Sequence, residues 1–278
     1  MPILKIAAFS DGKAGGNPAG VLISAEHPSE PDMRRIAAEV GFSETAFAAP
    51  ISEGTWRVRY FSPESEVPFC GHATIALGAA LAMENGDGVF SLKLNEAEIT
   101  VEGRREGELF SAALQSPPTR SAPAPAELVE AALGLFGYTA ADLDPRIPPA
   151  IIHGGADHLI LALGSREALA AMKYDLDAGR SLMNGAGIVT IVLAWSETPN
   201  LFHTRNPFAP GGVYEDPATG AATAALAGYL RDLGWPHRGR LDIVQGEDMG
   251  MRSLIRADIP RTPGSSIRVS GTARLLTA

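Results

Sequence analysis

The chain has 278 residues, of which 45% are hydrophobic and 20% charged, a composition typical of two globular domains of ordinary size. Its formal net charge of −9 and its lack of a dense basic run argue against binding to nucleic acid or to anionic membrane surfaces. The single cysteine, Cys70, excludes a disulfide framework within the chain and a cysteine-rich zinc site. There is no signal-peptide pattern and no long apolar run, so we expect a soluble, cytoplasmic protein.

The first half of the chain reads as short strands with two helices. Ser29 and Pro31 form a typical helix start, and Gly71 opens a run of strong helix formers. The predicted elements in chain order are strands 4–9 and 19–23, a helix from Ser29 to about Val40, strands 44–49 and 56–61, and a helix 72–83.

A proline-rich segment, Ser116–Pro125, divides the chain, because proline removes backbone donors and restricts its neighbours. We interpret it as a linker that is neither regular helix nor central strand. The predicted elements after it are a helix 126–136, strands 148–152 and 159–163, a helix capped by Ser165 and ending near 172, strands 187–195 and 201–205, and a helix 221–233.

The two halves repeat each other. The pattern Gly-x-Ala-Thr-x-Ala-Leu-x-x-x-Leu occurs from Gly71 and again from Gly220, 149 residues later. Arg59-Tyr-Phe-Ser-Pro resembles the segment from Arg205 to Pro210, and a Gly-Gly pair precedes an apolar strand in each half. Several similar segments in the same order indicate an internal duplication.

Both repeated helices are rich in alanine and poor in charge, which is typical of a buried helix. In domains made otherwise of short strands, the economical arrangement is a sheet wrapped around that helix. The sequence therefore predicts an α+β fold of two pseudo-symmetric lobes, each a curved, mainly antiparallel sheet around a central helix.

The starts of the two buried helices suit anion chemistry. A helix N-terminus presents unpaired backbone N–H groups and a partial positive charge, which can hold a carboxylate or a developing enolate. Ionisable groups lie near both starts, namely Glu44, His72 and Asp216. Unlike the helices, these groups are not duplicated. This is expected if the two helix starts face each other and form one active site that needs a single base and a single anchor.

Several motifs together are similar to one known family. The motifs are Gly-Gly-Asn-Pro-Ala from Gly15, Ser-Glu-Thr-Ala-Phe from Ser43, Phe-Cys-Gly-His-Ala-Thr from Phe69, and Glu-Asp-Pro-Ala-Thr-Gly-Ala-Ala from Glu215. In this order they resemble the PhzF-like phenazine-biosynthesis family over essentially the whole chain. The resemblance implies a diaminopimelate epimerase-like fold, with an active site between two lobes, and an isomerase that works without a cofactor.

The resemblance also implies residue roles. Glu44 would act as the general acid and base that moves a proton within a small, carboxylate-bearing metabolite, with His72 and Asp216 as its catalytic partners. The expected substrate-binding residues are Asn17, Gly71, Ala73, Thr219, Gly220 and Ala221. We expect a homodimer, no metal, and lobes at residues 1–117 and 118–265, the first completed by a C-terminal strand at about 266–278.

Two positions depart from the related patterns. The epimerases and racemases of this fold pair two cysteines, one at each helix start, whereas Thr219 stands opposite Cys70. Ala221 replaces a serine that the family commonly has, which removes a hydroxyl from the expected substrate contacts. The alternatives are an amino-acid epimerase or racemase, which lacks its thiol pair here, and a non-catalytic member that only binds a small molecule.

Each candidate residue also has a purely structural interpretation. Asp216 before Pro217 could be a helix N-cap, and Glu44 a solvated strand end. His72 and Cys70 could simply be buried residues. His153 and His158 lack further converging ligands in the sequence, so we predict no metal site from them.

Overall fold

A computed structural model describes residues 2–95 and 97–276 of the chain. It contains six α-helices, with bounds α1 Glu30–Val40, α2 Gly71–Asn85, α3 Ala126–Phe136, α4 Arg166–Ala170, α5 Leu176–Ala186 and α6 Gly220–Asp232 among the described residues. The strands are β1 Leu4–Ser10, β2 Asn17–Ile23, β3 Thr45–Ser52, β4 Thr55–Phe61, β5 Glu66–Val67, β6 Gly88–Lys93, β7 Glu98–Glu106, β8 Leu109–Gln115, β9 Arg120–Pro123, β10 Ala150–His153, β11 Asp157–Ala162, β12 Thr190–Thr198, β13 Leu201–Phe208, β14 Val213–Asp216, β15 Arg240–Gln245, β16 Ser253–Asp258 and β17 Arg268–Leu275. No helix in the described part of the chain is long and apolar enough to cross a bilayer.

The chain divides into two compact units. The described residues up to Gln115, together with those from Val269 onward, form the first unit, and Ser116–Arg268 forms the second. The sequence had suggested a first boundary after residue 117 and a return at about residue 266. The strand β17 thus belongs almost entirely to the first unit.

The first unit is a closed sheet around the helix α2. Its strands pair in the cycle β1–β2–β3–β4–β6–β7–β8–β17 and back to β1. The pairs β2–β3 and β4–β6 are parallel, whereas β1–β2, β3–β4, β6–β7, β7–β8 and β1–β17 are antiparallel. Every residue of α2 from Gly71 to Ala82 is buried, so the prediction of a helix enclosed by a curved sheet is confirmed.

Glycine allows the close approach of helix and sheet in this unit. A Cβ atom built at Gly78 of α2 would lie 2.5 Å from Val101 Cγ2 of β7. A Cβ atom built at Gly103 of β7 would overlap the carbonyl oxygen of Gly78. The two glycines therefore face each other where the backbone of β7 comes closest to α2.

The second unit repeats this pattern of strand pairing. Its strands follow the order β9–β10–β11–β12–β13–β15–β16, with the short strand β14 also on β13. The pairs β11–β12 and β13–β15 are parallel and the others antiparallel, as for β2–β3 and β4–β6 in the first unit. The helix α6 is buried almost throughout and packs against β9, β10, β11 and β16. The shared pairing order supports the duplication predicted from the sequence.

The second unit carries three more helices on the outer side of its sheet. The helices α3, α4 and α5 form an apolar cluster with β11 and β12, whose members include Phe136, Leu161, Leu169, Met183 and Leu193. The side chain of Ser165 accepts a hydrogen bond from the N–H of Ala168, as its predicted capping role requires.

Several segments of the second unit differ from the predictions, and its strands β14, β15 and β16 were not predicted. Leu176–Ala186 is a helix that the sequence analysis missed, because Gly179 and Gly185 lower its helix propensity. Gly187, predicted to begin a strand, has φ 67° and ends this helix; the strand begins at Thr190. Part of the proposed linker, Arg120–Pro123, is an extended strand that pairs with β10.

Candidate active site

Glu44 lies directly before β3 and is held there by the sheet. Its carbonyl oxygen accepts a hydrogen bond from the N–H of Gly20 in β2, at 3.2 Å. Only 8% of its side chain is exposed, so the interpretation of Glu44 as a solvated strand end is wrong. Glu44 Oε2 is buried and has no hydrogen-bond partner among the described residues.

His72 is the nearest ionisable neighbour of that oxygen. Its Nε2 lies 3.4 Å from Glu44 Oε2 and 3.4 Å from Ser43 Oγ, and its Nδ1 lies 3.4 Å from Cys70 Sγ. The contact with Glu44 lacks the alignment of a hydrogen bond, which leaves the carboxylate oxygen free to bond elsewhere. Glu44, Cys70 and His72 thus form one buried cluster at the start of α2.

The turn before α2 is fixed from inside the unit. Cys70 is the N-cap residue of α2, and its carbonyl oxygen accepts hydrogen bonds from the N–H and the hydroxyl of Thr74. The hydroxyl of Thr74 also bonds the buried Tyr60 hydroxyl at 2.7 Å. Burial raises the pKa of Tyr60, so this phenol stays neutral and remains a stable support for the turn.

Asp216 ends β14 in the second unit and is also buried. Its Oδ2 accepts a 2.5 Å hydrogen bond from the hydroxyl of Thr219, the N-cap residue of α6. Gln245 joins the same network, because its Nε2 donates to the carbonyl oxygen of Asp216 and to Thr219 Oγ1. Asp216 is therefore not the N-cap, and its carboxylate is oriented by the hydroxyl of Thr219.

A duplicated ion pair that the sequence analysis missed positions both segments. In the first unit Arg59 of β4 donates from Nε and Nη2 to the carboxylate of Glu66, at 2.8 and 2.5 Å. In the second unit Arg205 of β13 makes the same fork with Glu215, at 3.0 and 2.5 Å. The hydrogen bonds from Arg59 lower the pKa of Glu66, so this carboxyl stays ionised.

The position of these pairs could have been noticed in the sequence. Glu66 and Glu215 each lie five residues before the glycine that opens a buried helix, and each follows a matched arginine. Bidentate arginine–carboxylate pairs fix geometry as well as charge. Each pair anchors the short strand that leads to one of the two helix starts.

The remaining predicted residues lie at the starts of their elements, and Asn17, which the sequence placed in the turn before a strand at 19–23, begins that strand. Asn17 is the buried first residue of β2, and Gly71 and Ala73 belong to the first turn of α2. Gly220 and Ala221 begin α6. Their contacts with a substrate remain predictions.

The histidines outside this cluster have structural partners. His158 is fully buried, and its Nδ1 lies 2.8 Å from Thr190 Oγ1. Burial lowers the pKa of His158 to about 3, so it is neutral at physiological pH. His153 pairs with Asp157 at 2.6 Å. Among the described residues, the cluster whose donor atoms converge as metal ligands do is Glu44, Cys70 and His72, within 4.8 Å of one another.

Comparisons with known proteins support the family that the sequence motifs indicated. A family model described as phenazine biosynthesis-like protein, PhzC-PhzF, matches residues 6–278. The trans-2,3-dihydro-3-hydroxyanthranilate isomerase of Pseudomonas aeruginosa is 33% identical over 273 residues, which cover 95% of this chain and 91% of that protein.

Solved structures show the same fold at lower identity. A predicted epimerase from Pseudomonas aeruginosa superposes with a TM-score of 0.86 at 24% identity, covering 99% of this chain and 96% of that one. A probable proline racemase from Agrobacterium radiobacter gives 0.67 at 12% identity, covering 99% and 92%. A family model spans residues 6–278, and a named isomerase is 33% identical over an alignment that covers 95% of this chain, so this chain is an isomerase that belongs to the phenazine biosynthesis-like PhzC-PhzF family.

Proposed function

We propose that this isomerase moves a proton within a small, carboxylate-bearing metabolite without a cofactor, and that Glu44 is its general acid and base. The observation that supports this role is the buried Glu44 Oε2 with no hydrogen-bond partner in the described part of the chain. Burying an unpaired carboxylate oxygen costs free energy, and such exceptions concentrate at functional sites. A substrate proton delivered to this oxygen would provide the missing partner.

One carboxyl group suffices for the proposed reaction. Glu44 removes a proton from a substrate carbon, and the electron pair of the broken C–H bond moves into the conjugated system of the substrate. The protonated Glu44 then returns the proton to another atom of the same molecule, so that Glu44 ends as it began. Between these two steps the proton on Glu44 can exchange with solvent, so product formed in D₂O is expected to carry deuterium on carbon.

His72 and Asp216 have supporting roles in this proposal. His72 Nε2 lies beside Glu44 Oε2 and can bond a polar group of the substrate or steady the carboxylate. Asp216 is oriented by Thr219 and Gln245 and is expected to hold a polar substrate group. Backbone N–H groups at a helix start, such as those at Gly71 or those at Gly220, would bind the carboxylate of the substrate.

The relative from Pseudomonas aeruginosa suggests a first substrate to test. That protein is named for the isomerisation of trans-2,3-dihydro-3-hydroxyanthranilate, which carries a carboxylate. Ala221 lacks the hydroxyl that this family commonly offers at the start of the second helix. We therefore expect this chain to prefer a related molecule without the group that a serine would bind.

Deuterium incorporation tests the proposal. The enzyme is incubated with dihydroanthranilate-type substrates in D₂O, and carbon-bound deuterium in the product is measured by NMR and mass spectrometry. We expect the wild-type enzyme to incorporate one deuterium and Glu44→Gln to lose about 10²–10⁴-fold in rate, the usual contribution of a general acid or base. Undiminished exchange in a correctly folded Glu44→Gln enzyme would overturn the assignment.

Glu39→Gln is the matched control, because it makes the same change at an exposed glutamate on α1. Glu39 bonds only Arg35 among its described contacts, so its variant should keep wild-type turnover. Circular dichroism of both variants separates a lost proton acceptor from a lost fold.

The epimerase alternative predicts a different result. A two-thiol mechanism would invert an amino-acid centre, which optical rotation detects. The non-catalytic alternative predicts tight binding without turnover or exchange. The proposed homodimer is checked by light scattering, as a particle of twice the 29.1 kDa chain mass.

A further inference from the structure

The buried cluster at the start of α2 resembles an incomplete zinc site. Glu44 reaches it from the residue before β3, Cys70 from the N-cap position of α2, and His72 from the first turn of that helix. One donor atom from each lies within 4.8 Å of the other two. We propose that this cluster binds a thiophilic divalent cation such as Zn²⁺, and that the bound cation inhibits the isomerase.

The distances suit a tetrahedral ion. With Zn–S of about 2.3 Å and Zn–N and Zn–O of about 2.1 Å, tetrahedral ligands stand about 3.6 Å (sulfur to nitrogen) and about 3.4 Å (nitrogen to oxygen) apart. His72 Nε2 lies 3.4 Å from Glu44 Oε2 and 4.0 Å from Cys70 Sγ. The nitrogen–oxygen distance already matches, and a shift of about 0.4 Å in the sulfur brings the sulfur–nitrogen distance to about 3.6 Å as well.

The ligand chemistry selects the metal. A thiolate, an imidazole and a carboxylate are the donors that zinc prefers, whereas Mg²⁺ and Ca²⁺ require sets of oxygen ligands. The charges of Zn²⁺, a Cys70 thiolate and the Glu44 carboxylate sum to zero, which suits a buried position. Three protein ligands leave the fourth position open for water or a substrate oxygen.

The unpaired Glu44 Oε2 is the second observation that points to a ligand here. This oxygen is buried and has no hydrogen-bond partner among the described residues, and a cation would satisfy it. A carboxylate that coordinates a cation cannot accept a substrate proton. The inhibitory part of this inference therefore rests on the proposed role of Glu44, whereas the binding part does not.

Cobalt binding tests the site directly. CoCl₂ is titrated into the full-length protein under anaerobic conditions, and thiolate-to-cobalt charge-transfer absorption is recorded. Cys70 is the single cysteine in the sequence, so this absorption can arise only from a metal bound to Cys70. We expect one Co²⁺ per chain, displacement by Zn²⁺, loss of the band in Cys70→Ala, and affinity more than about tenfold weaker in His72→Gln, since even supporting residues contribute about 10–100-fold.

His203→Gln is the control for adventitious binding. His203 lies between Glu197 and Glu247 on the second unit, at 2.7 and 3.2 Å, and is the obvious competing surface site. The band should be unchanged in this variant. Cobalt binding without the thiolate band, or a band that His72→Gln leaves unaltered, would overturn the proposed site.

Zn²⁺ inhibition is then measured as the ratio of each enzyme's activity with and without metal. We expect wild-type activity to fall in step with occupancy of the site, and Cys70→Ala to resist the same Zn²⁺ concentration. If the band shows full occupancy while turnover is unaffected, the inhibitory inference and the role of Glu44 both fail, although the metal site stands. If Glu44→Gln abolishes exchange but no band forms, the proposed function stands and the metal site fails.

Discussion

Replacing Gly78 by alanine tests whether the enclosing sheet, rather than helix propensity, controls α2. Gly78 lies in the interior of this helix, where alanine would ordinarily stabilise by about 0.5–1 kcal/mol. The new methyl group, however, would lie 2.5 Å from Val101 Cγ2 and 3.3 Å from Ala112 Cβ. Since Val101 is a stiff β-branched residue in a closed sheet, the methyl group cannot be accommodated without displacement.

The expected magnitude follows from two opposing contributions. Overpacking a close-packed interior costs about 1–3 kcal/mol, and the helix gain offsets about 0.5–1 kcal/mol of that cost. We therefore expect Gly78→Ala to lower the free energy of unfolding by up to about 2.5 kcal/mol. Gly103→Ala should cost more, because its methyl group meets the backbone carbonyl of Gly78 rather than a side chain.

Gly134→Ala is the matched control. Gly134 also lies inside a helix, α3, but a Cβ atom there meets no heavy atom within 4 Å. The same substitution in the same secondary structure should therefore stabilise the protein by about 0.5–1 kcal/mol. The difference between the two variants isolates the packing contribution of the sheet.

Urea unfolding followed by far-UV circular dichroism and tryptophan fluorescence measures these effects. Trp56 belongs to the first unit, whereas Trp195 and Trp235 belong to the second, so the wavelength shift of fluorescence helps to assign a transition to its unit. Midpoints are compared at constant m-value. A Gly78→Ala midpoint that rises like that of Gly134→Ala would show that the sheet does not constrain α2.

Two further predictions concern charge. Glu215→Gln should destabilise the protein by about 3–5 kcal/mol, because it leaves the Arg205 guanidinium buried without its carboxylate. As a control, Glu39→Gln removes the carboxylate of the exposed Arg35–Glu39 pair and should leave the urea midpoint unchanged. Equal midpoints for these two variants would contradict the positioning role of the buried pair. His158 has a pKa lowered by burial to about 3, so the folded state binds fewer protons than the unfolded one, and stability is lost as pH falls below about 6.5. Between pH 7 and pH 5 the wild-type protein should lose about 2 kcal/mol more than His158→Gln, and parallel pH profiles of the two would refute this account.

The sequence by itself determined the repeated architecture. A helix that is apolar on all faces is typical of a buried helix, and the recurrence of this pattern at Gly71 and Gly220 predicted two enclosed helices. Local signals were also sufficient for capped helices, since Ser29 and Ser165 accept the hydrogen bonds that their positions require. The helix at 176–186 escaped detection because its glycines weaken the local signal.

Only the tertiary structure decided how the ionisable residues are paired. Glu44 and His72 are 28 residues apart in sequence, yet in the folded unit His72 Nε2 lies 3.4 Å from Glu44 Oε2. The forks of Arg59 with Glu66 and of Arg205 with Glu215 likewise depend on strand register, which a one-residue slip would destroy. Motifs could identify Glu44 as a candidate base, but its unpaired oxygen is a property of the folded interior, where hydrogen bonds depend on contacts far apart in sequence.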